Sequence, residues 1–166
     1  MILDERLEFG DALAVTGTAD VKVAIGDVID LGSYLGGTAG ATELAPDVAL
    51  GEDLYFVITT DTEVITGGIA GTVKFSLNSN ATADLAGTPT EHFVTDAIVT
   101  DDSAANDARL NAGGVICAVK LPLGSYQRYL VLGEDIDTTT ITAGKINAFL
   151  TKDFSKWKAL ANAVNG

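Results

Sequence analysis

The side chains with the most chemical potential are few: one histidine, one cysteine and two acidic clusters. His92 lies in the β-prone run Glu91-His92-Phe93-Val94. A general base needs a nucleophile or an orienting group in reach, and a lone histidine cannot build a histidine-based metal cluster. A histidine at the start of a strand is the plainer reading. Cys117 stands in the apolar run Val115-Ile116-Cys117-Ala118-Val119, where a thiol behaves as a small hydrophobe with a raised pKa. Being single, it forms no internal disulfide, which fits assembly in a reducing cytoplasm.

The acidic clusters are Asp101-Asp102 with Asn106 and Asp107, and Glu134-Asp135-Ile136-Asp137. Neither has the alternating ligands, glycine and terminal glutamate of a calcium loop, so solvated turns are the simpler account. Nothing fixes a carboxylate separation suited to glycoside hydrolysis. The stretch Gly36-Gly37-Thr38-Ala39-Gly40 lacks the Lys-Ser/Thr of a phosphate loop. Asn80-Ala81-Thr82 matches a glycosylation acceptor, which matters only on an exported chain. The opening Met1-Ile2-Leu3-Asp4-Glu5-Arg6 lacks the basic start and long apolar stretch of a secretory signal. The expectation is a chain that is not exported and not an enzyme, with no metal and no cofactor.

The elements that must carry these residues are short β-prone runs punctuated by Gly, Asn, Asp and Thr. Strands are expected at 21–24, 28–31, 54–60, 72–77, 92–99, 114–121, 126–132 and 140–151. In Val73-Lys74-Phe75-Ser76-Leu77 the apolar residues alternate, as a half-buried strand requires. Leu54-Tyr55-Phe56-Val57-Ile58 is continuously apolar, which suits a strand covered on both faces. Many short strands with turns between them indicate an all-β sandwich or barrel rather than βαβ units.

One segment looks helical. After Asp153, a plausible N-cap, Phe154, Trp157, Ala161 and Val164 recur at helical spacing with Leu160 beside them. The expected organisation is a β-sandwich domain over 1–152 and a short C-terminal helical tail over 153–166. The tail is basic on an acidic body, since Lys145, Lys152, Lys156 and Lys158 outnumber Asp153 after Asp137. So short a helix needs its apolar stripe buried. It either packs on its own sandwich or docks Trp157 and Phe154 into a neighbour, tryptophan being a common anchor.

The 166 residues, 47% of them hydrophobic and 20% charged, suffice for one well-filled core. The formal net charge of −13 disfavours nucleic acid and anionic membranes, both of which are bound through Lys and Arg. It also keeps a chain of mean hydropathy +0.28 in solution, and it suits a basic partner surface. No run of about 18 apolar residues is present to cross a membrane as a helix.

Three ordered segments carry a resemblance. The first is Met1-Ile2-Leu3-Asp4, Leu7, Phe9 and Asp11-Ala12-Leu13-Ala14-Val15-Thr16, with Val28-Ile29-Asp30-Leu31-Gly32 after it. The second is Leu54-Tyr55-Phe56-Val57-Ile58 leading to Gly71-Thr72-Val73-Lys74-Phe75-Ser76-Leu77. The third is Leu121-Pro122-Leu123-Gly124, Arg128-Tyr129-Leu130 and Thr142-Ala143-Gly144-Lys145-Ile146. In that order, over residues 1 to 151, the chain resembles the capsid cement (decoration) proteins of tailed phages, the Bordetella phage cement protein family. It departs from them between Ala19 and Pro46 and after Asp153.

The resemblance implies a jelly-roll antiparallel β-sandwich on the outside of an icosahedral head. It further implies self-association and a bridging contact to the major capsid protein, without catalysis or cofactor. A virion location on the capsid exterior, after assembly in the host cytoplasm, goes with it. A homodimer is expected ahead of a homotrimer, since closed twofold pairs are commonest. Candidate partner contacts are Ile2, Leu3, Leu7 and Phe9 on an N-terminal arm, Arg128, and Phe154 and Trp157 of the tail. The arm is equally readable as an ordinary first strand, and Arg128 as a brace within its own sheet. The competing reading is a carbohydrate- or receptor-binding module of the virion, since a β-sandwich does not by itself decide function. That role calls for exposed aromatics on one face, whereas Tyr55, Phe56 and Phe75 read as core.

Overall fold

The computed structural model describes residues 7–31, 53–101 and 106–153. They form nine strands: β1 (Glu8–Ala14), β2 (Val21–Asp30), β3 (Tyr55–Ile65), β4 (Gly71–Asn80), β5 (Thr90–Val94), β6 (Ile98–Thr100), β7 (Val115–Lys120), β8 (Tyr129–Asp137) and β9 (Ala143–Thr151). A 3-10 turn at Ala108–Leu110 precedes β7. The helical tail expected from 153, with Phe154 and Trp157, lies outside the described residues, as do Ile2, Leu3 and the glycine-rich stretch.

Every ladder is antiparallel. One sheet has the order β1-β9-β3-β7; the other runs β2-β8-β4-β5, with β6 also on β4. Early strands therefore pair with late ones: β1 with β9, β2 with β8, β3 with β7 and β4 with β5.

Alternation decides what each strand buries. Phe56 and Ile58 of β3 join Phe75 and Leu77 of β4 and Leu130, Leu132 and Ile136 of β8 in one core between the sheets. Phe9 meets Phe56 edge-on at 5.8 Å, and Phe56 meets Phe93 of the opposite sheet at 6.2 Å, so aromatic contacts cross the sandwich. Val57, opposite Phe149 in register, is buried although neither belongs to that core. The first sheet is thus covered on both faces there, as the continuous apolar run predicts.

Several boundaries differ from expectation: β3 runs on to Ile65, and β8 runs on to Asp137, so the Glu134–Asp137 cluster expected as a solvated turn lies in a paired strand. The runs expected at 21–24 and 28–31 are one strand, β2. Its register against β8 slips between Ile25 and Ile29 at Gly26, whose φ of +73° makes a bulge rather than a turn. A side chain there would also overlap the Phe9 carbonyl. The run expected at 92–99 is two strands. Between them Thr95 caps the ladder: its N–H donates to Phe75 O, and its hydroxyl accepts from Phe75 N–H at 3.0 Å. β1 falls on the segment read equally as an arm or as an ordinary first strand, and Glu8–Ala14 is a strand.

Candidate functional site

Leu7, Phe9 and Arg128 are the candidate contacts within the described residues. Phe9 is fully buried in β1, whose backbone pairs with β9, so it belongs to the core and not to an exposed arm. Leu7 is half-buried and packs on the same core. Pairing explains the placement. β1 finds an open edge on β9, and Ala12 N–H also donates to Asn147 Oδ1 at 2.7 Å, so the strand has partners that a free arm lacks.

Arg128 reaches across from the start of β8 to the end of β2. Its Nε and Nη2 donate to the two Asp30 carboxylate oxygens at 2.9 and 2.8 Å, and its guanidinium lies 4.8 Å from the Tyr129 ring centre. The bidentate carboxylate raises the arginine pKa further. Arg128 is a brace within its own sheet.

The lone histidine has a serine partner. Ser79, on the inward side of β4, lies 2.7 Å from His92 Nε2 and accepts from Gln127 N–H at 3.0 Å. His92 stacks on Tyr126 with centres 4.0 Å apart, and Tyr126 donates to Pro122 O at 2.6 Å. The pair has the spacing of a nucleophile and its base. However, Ser79 is fully buried, with its hydroxyl held between His92 and the backbone before β8. The cluster ties β4, β5 and the 121–128 connection together. Burial lowers the His92 pKa and pushes the Tyr126 phenol up to about 12.

Cys117 is raised to about 12 by burial, which keeps its thiol protonated. The acidic clusters are taken apart by the fold. Asp107 caps the 3-10 turn and, with Asp96, clasps Arg109: Nη1 and Nη2 reach Asp96 at 2.8 and 3.2 Å, and Nη2 reaches Asp107 at 2.8 Å. That guanidinium holds both carboxyls below the usual carboxylate range. Glu134 points between the sheets, whereas Asp135, one residue on, lies 3.8 Å from Lys74 on the outer face. Among the described residues no three His, Cys, Asp or Glu side chains converge as a metal site.

The outer face of the second sheet carries an arrangement that sequence reasoning missed. Lys22 of β2 extends over β8 to reach Asn78 Oδ1 of β4 at 3.1 Å and Glu91 Oε2 of β5 at 2.7 Å. The crossing is open because β8 has glycine there. A Cβ on Gly133 would lie 2.7 Å from Ser76 Oγ and 3.1 Å from both Asn78 Nδ2 and Lys22 Cε. The only sequence trace is a lone glycine inside a strand pattern.

Fold and side chains together define a two-sheet antiparallel β protein whose polar clusters brace strands to one another. A family comparison adds the particular group: the Bbp16 family model matches residues 9–150, most of the chain. The chain belongs to the Bbp16 family. No curated protein matches it.

Proposed function

We propose that this protein is a virion structural component, a capsid cement that binds the outside of a phage head and bridges neighbouring copies of the major capsid protein. The observation that carries the reading is the Bbp16 match over residues 9–150, a family name that suggests a Bordetella phage protein. The segments that resemble cement proteins fall within and just outside that span. In this reading the sandwich is a jelly roll. Its support is the nested pairing of β1 with β9, β2 with β8, β3 with β7 and β4 with β5, as when one long hairpin is rolled up.

The role is non-catalytic and needs no cofactor. The protein acts as a homo-oligomer on the capsid exterior and binds neither nucleic acid nor membrane, as a formal charge of −13 favours. Many modest contacts per particle give avidity without a single strong site.

Purified protein added to expanded, undecorated heads is expected to bind in stoichiometric amounts and to raise their melting temperature. Heads that neither bind it nor gain stability would sink the proposal. A glycan array run in parallel distinguishes a receptor-binding module, which would give hits there instead.

A further inference from the structure

Glu134 is a buried acid in the described sandwich with one oxygen, Oε2, left without a hydrogen-bond partner. It alternates with Leu132 and Ile136 on the inward side of β8 and is 1% exposed. The carboxylate receives the Gly17 backbone N–H from the connection between β1 and β2. Contact is close enough that a Cβ at Gly17 would overlap both the carboxylate and Ile136 Cδ1. The same connection is tied down by Val15 N–H to Gly144 O at 3.1 Å and Asp20 N–H to Ile136 O at 2.6 Å.

The side chains around it offer no counter-charge. In register, Glu134 stands beside Val23 of β2 and Phe75 of β4. Lys22, Lys74 and Asp135 sit one position away and face outward, where Lys22 reaches Glu91 and Lys74 reaches Asp135. Asp20 belongs to the β1–β2 connection itself. No charged side chain among the described residues acts on the carboxyl; burial dominates and the Gly17 N–H opposes it weakly. An ionised carboxylate with one donor is costly between two apolar sheets.

We propose that Glu134 is a proton-operated latch on the β1–β2 connection. Neutral, its carboxyl stays between the sheets with Gly17 seated on it. Ionised, it is drawn toward water, and the connection lifts from the end of the sandwich. The latch holds whatever the protein binds, so it stands apart from the capsid proposal.

The supporting direction is clear: burial raises this carboxyl from 4.5 to about 7. The folded pKa lies above the unfolded one, so the stabilisation is fully present below 4.5 and is lost as pH rises through about 7. For an opening that hydrates Glu134, the open population rises about tenfold between about pH 6 and about pH 8.5.

Amide hydrogen exchange, corrected for intrinsic rates, tests this at Val15, Gly17 and Asp20. Wild-type protein is expected to lose about tenfold protection over that range, and Glu134→Gln to lose none. A carbon-13 carboxyl titration of the wild-type protein needs no substitution and is expected to show a Glu134 midpoint well above 4.5. A midpoint at 4.5 or below, or the same pH dependence in Glu134→Gln, overturns the latch.

Discussion

At the scale of single residues, burial decides what each reactive group can do. Cys117 has its thiol pushed from 9.0 to about 12, so at pH 8 its thiolate fraction is about a thousandfold below that of an unperturbed thiol. Iodoacetamide is expected to label the native protein about that much more slowly than the urea-unfolded chain, as read by mass spectrometry. His92 titrates in the opposite sense to Glu134. Its folded pKa is lowered below 6.5, so its contribution is present above 6.5 and is lost as pH falls through the folded value. Wild-type stability, measured by urea unfolding, is therefore expected to fall more steeply than that of His92→Gln as the solution is acidified from 6.5. Gly133 provides a steric test. Gly133→Ala forces a methyl into the Ser76, Asn78 and Lys22 cluster and is expected to cost about 1–3 kcal/mol. Gly124→Ala, with nothing within 4 Å of the new methyl, is expected to leave the melting temperature unchanged.

At the scale of elements, pairing rather than propensity sets the boundaries. β1 contains Gly10 and an Ala12 at φ +49°, neither of which favours a strand, yet it is held by β9 on its edge and Phe9 beneath. Phe9→Ala is expected to cost about 3–5 kcal/mol in the free protein, measured by chemical denaturation. An exposed arm would instead leave the free protein's stability untouched. The Arg128–Asp30 brace joins the ends of β2 and β8 and is about one-third exposed. A double-mutant cycle with Arg128→Ala and Asp30→Ala is expected to give a small favourable coupling, which salt weakens.

At the scale of the whole molecule, the two sheets share one core, and their polar surfaces are spent largely on internal bracing. Lys22, Arg109 and Arg128 each reach acidic side chains of other segments, so these cations are engaged before any partner arrives. Under the proposed cement role, a chain of formal charge −13 has a basic patch on the shell as its natural complement. Head binding is accordingly expected to weaken as salt is raised, measured by co-sedimentation with undecorated heads across a salt series.

Much of this was legible without coordinates. Period-two alternation and turn residues placed most of the strands, because both act over a few neighbouring residues. The continuous run ending at Ile58 announced a strand covered on both faces, and the Cys117 run announced an inert thiol, since apolar neighbours are visible in sequence. What only the tertiary structure decided is which strand lies beside which. Ala12 meets Asn147 across 135 positions, and no local pattern encodes that distance. From those pairings follow the burial of Phe9, the passage of Lys22 over Gly133, and the single carboxylate of Glu134 turned inward beside two that face water. A strand's alternation separates adjacent acids onto two faces, but the partner strands determine which face is the core.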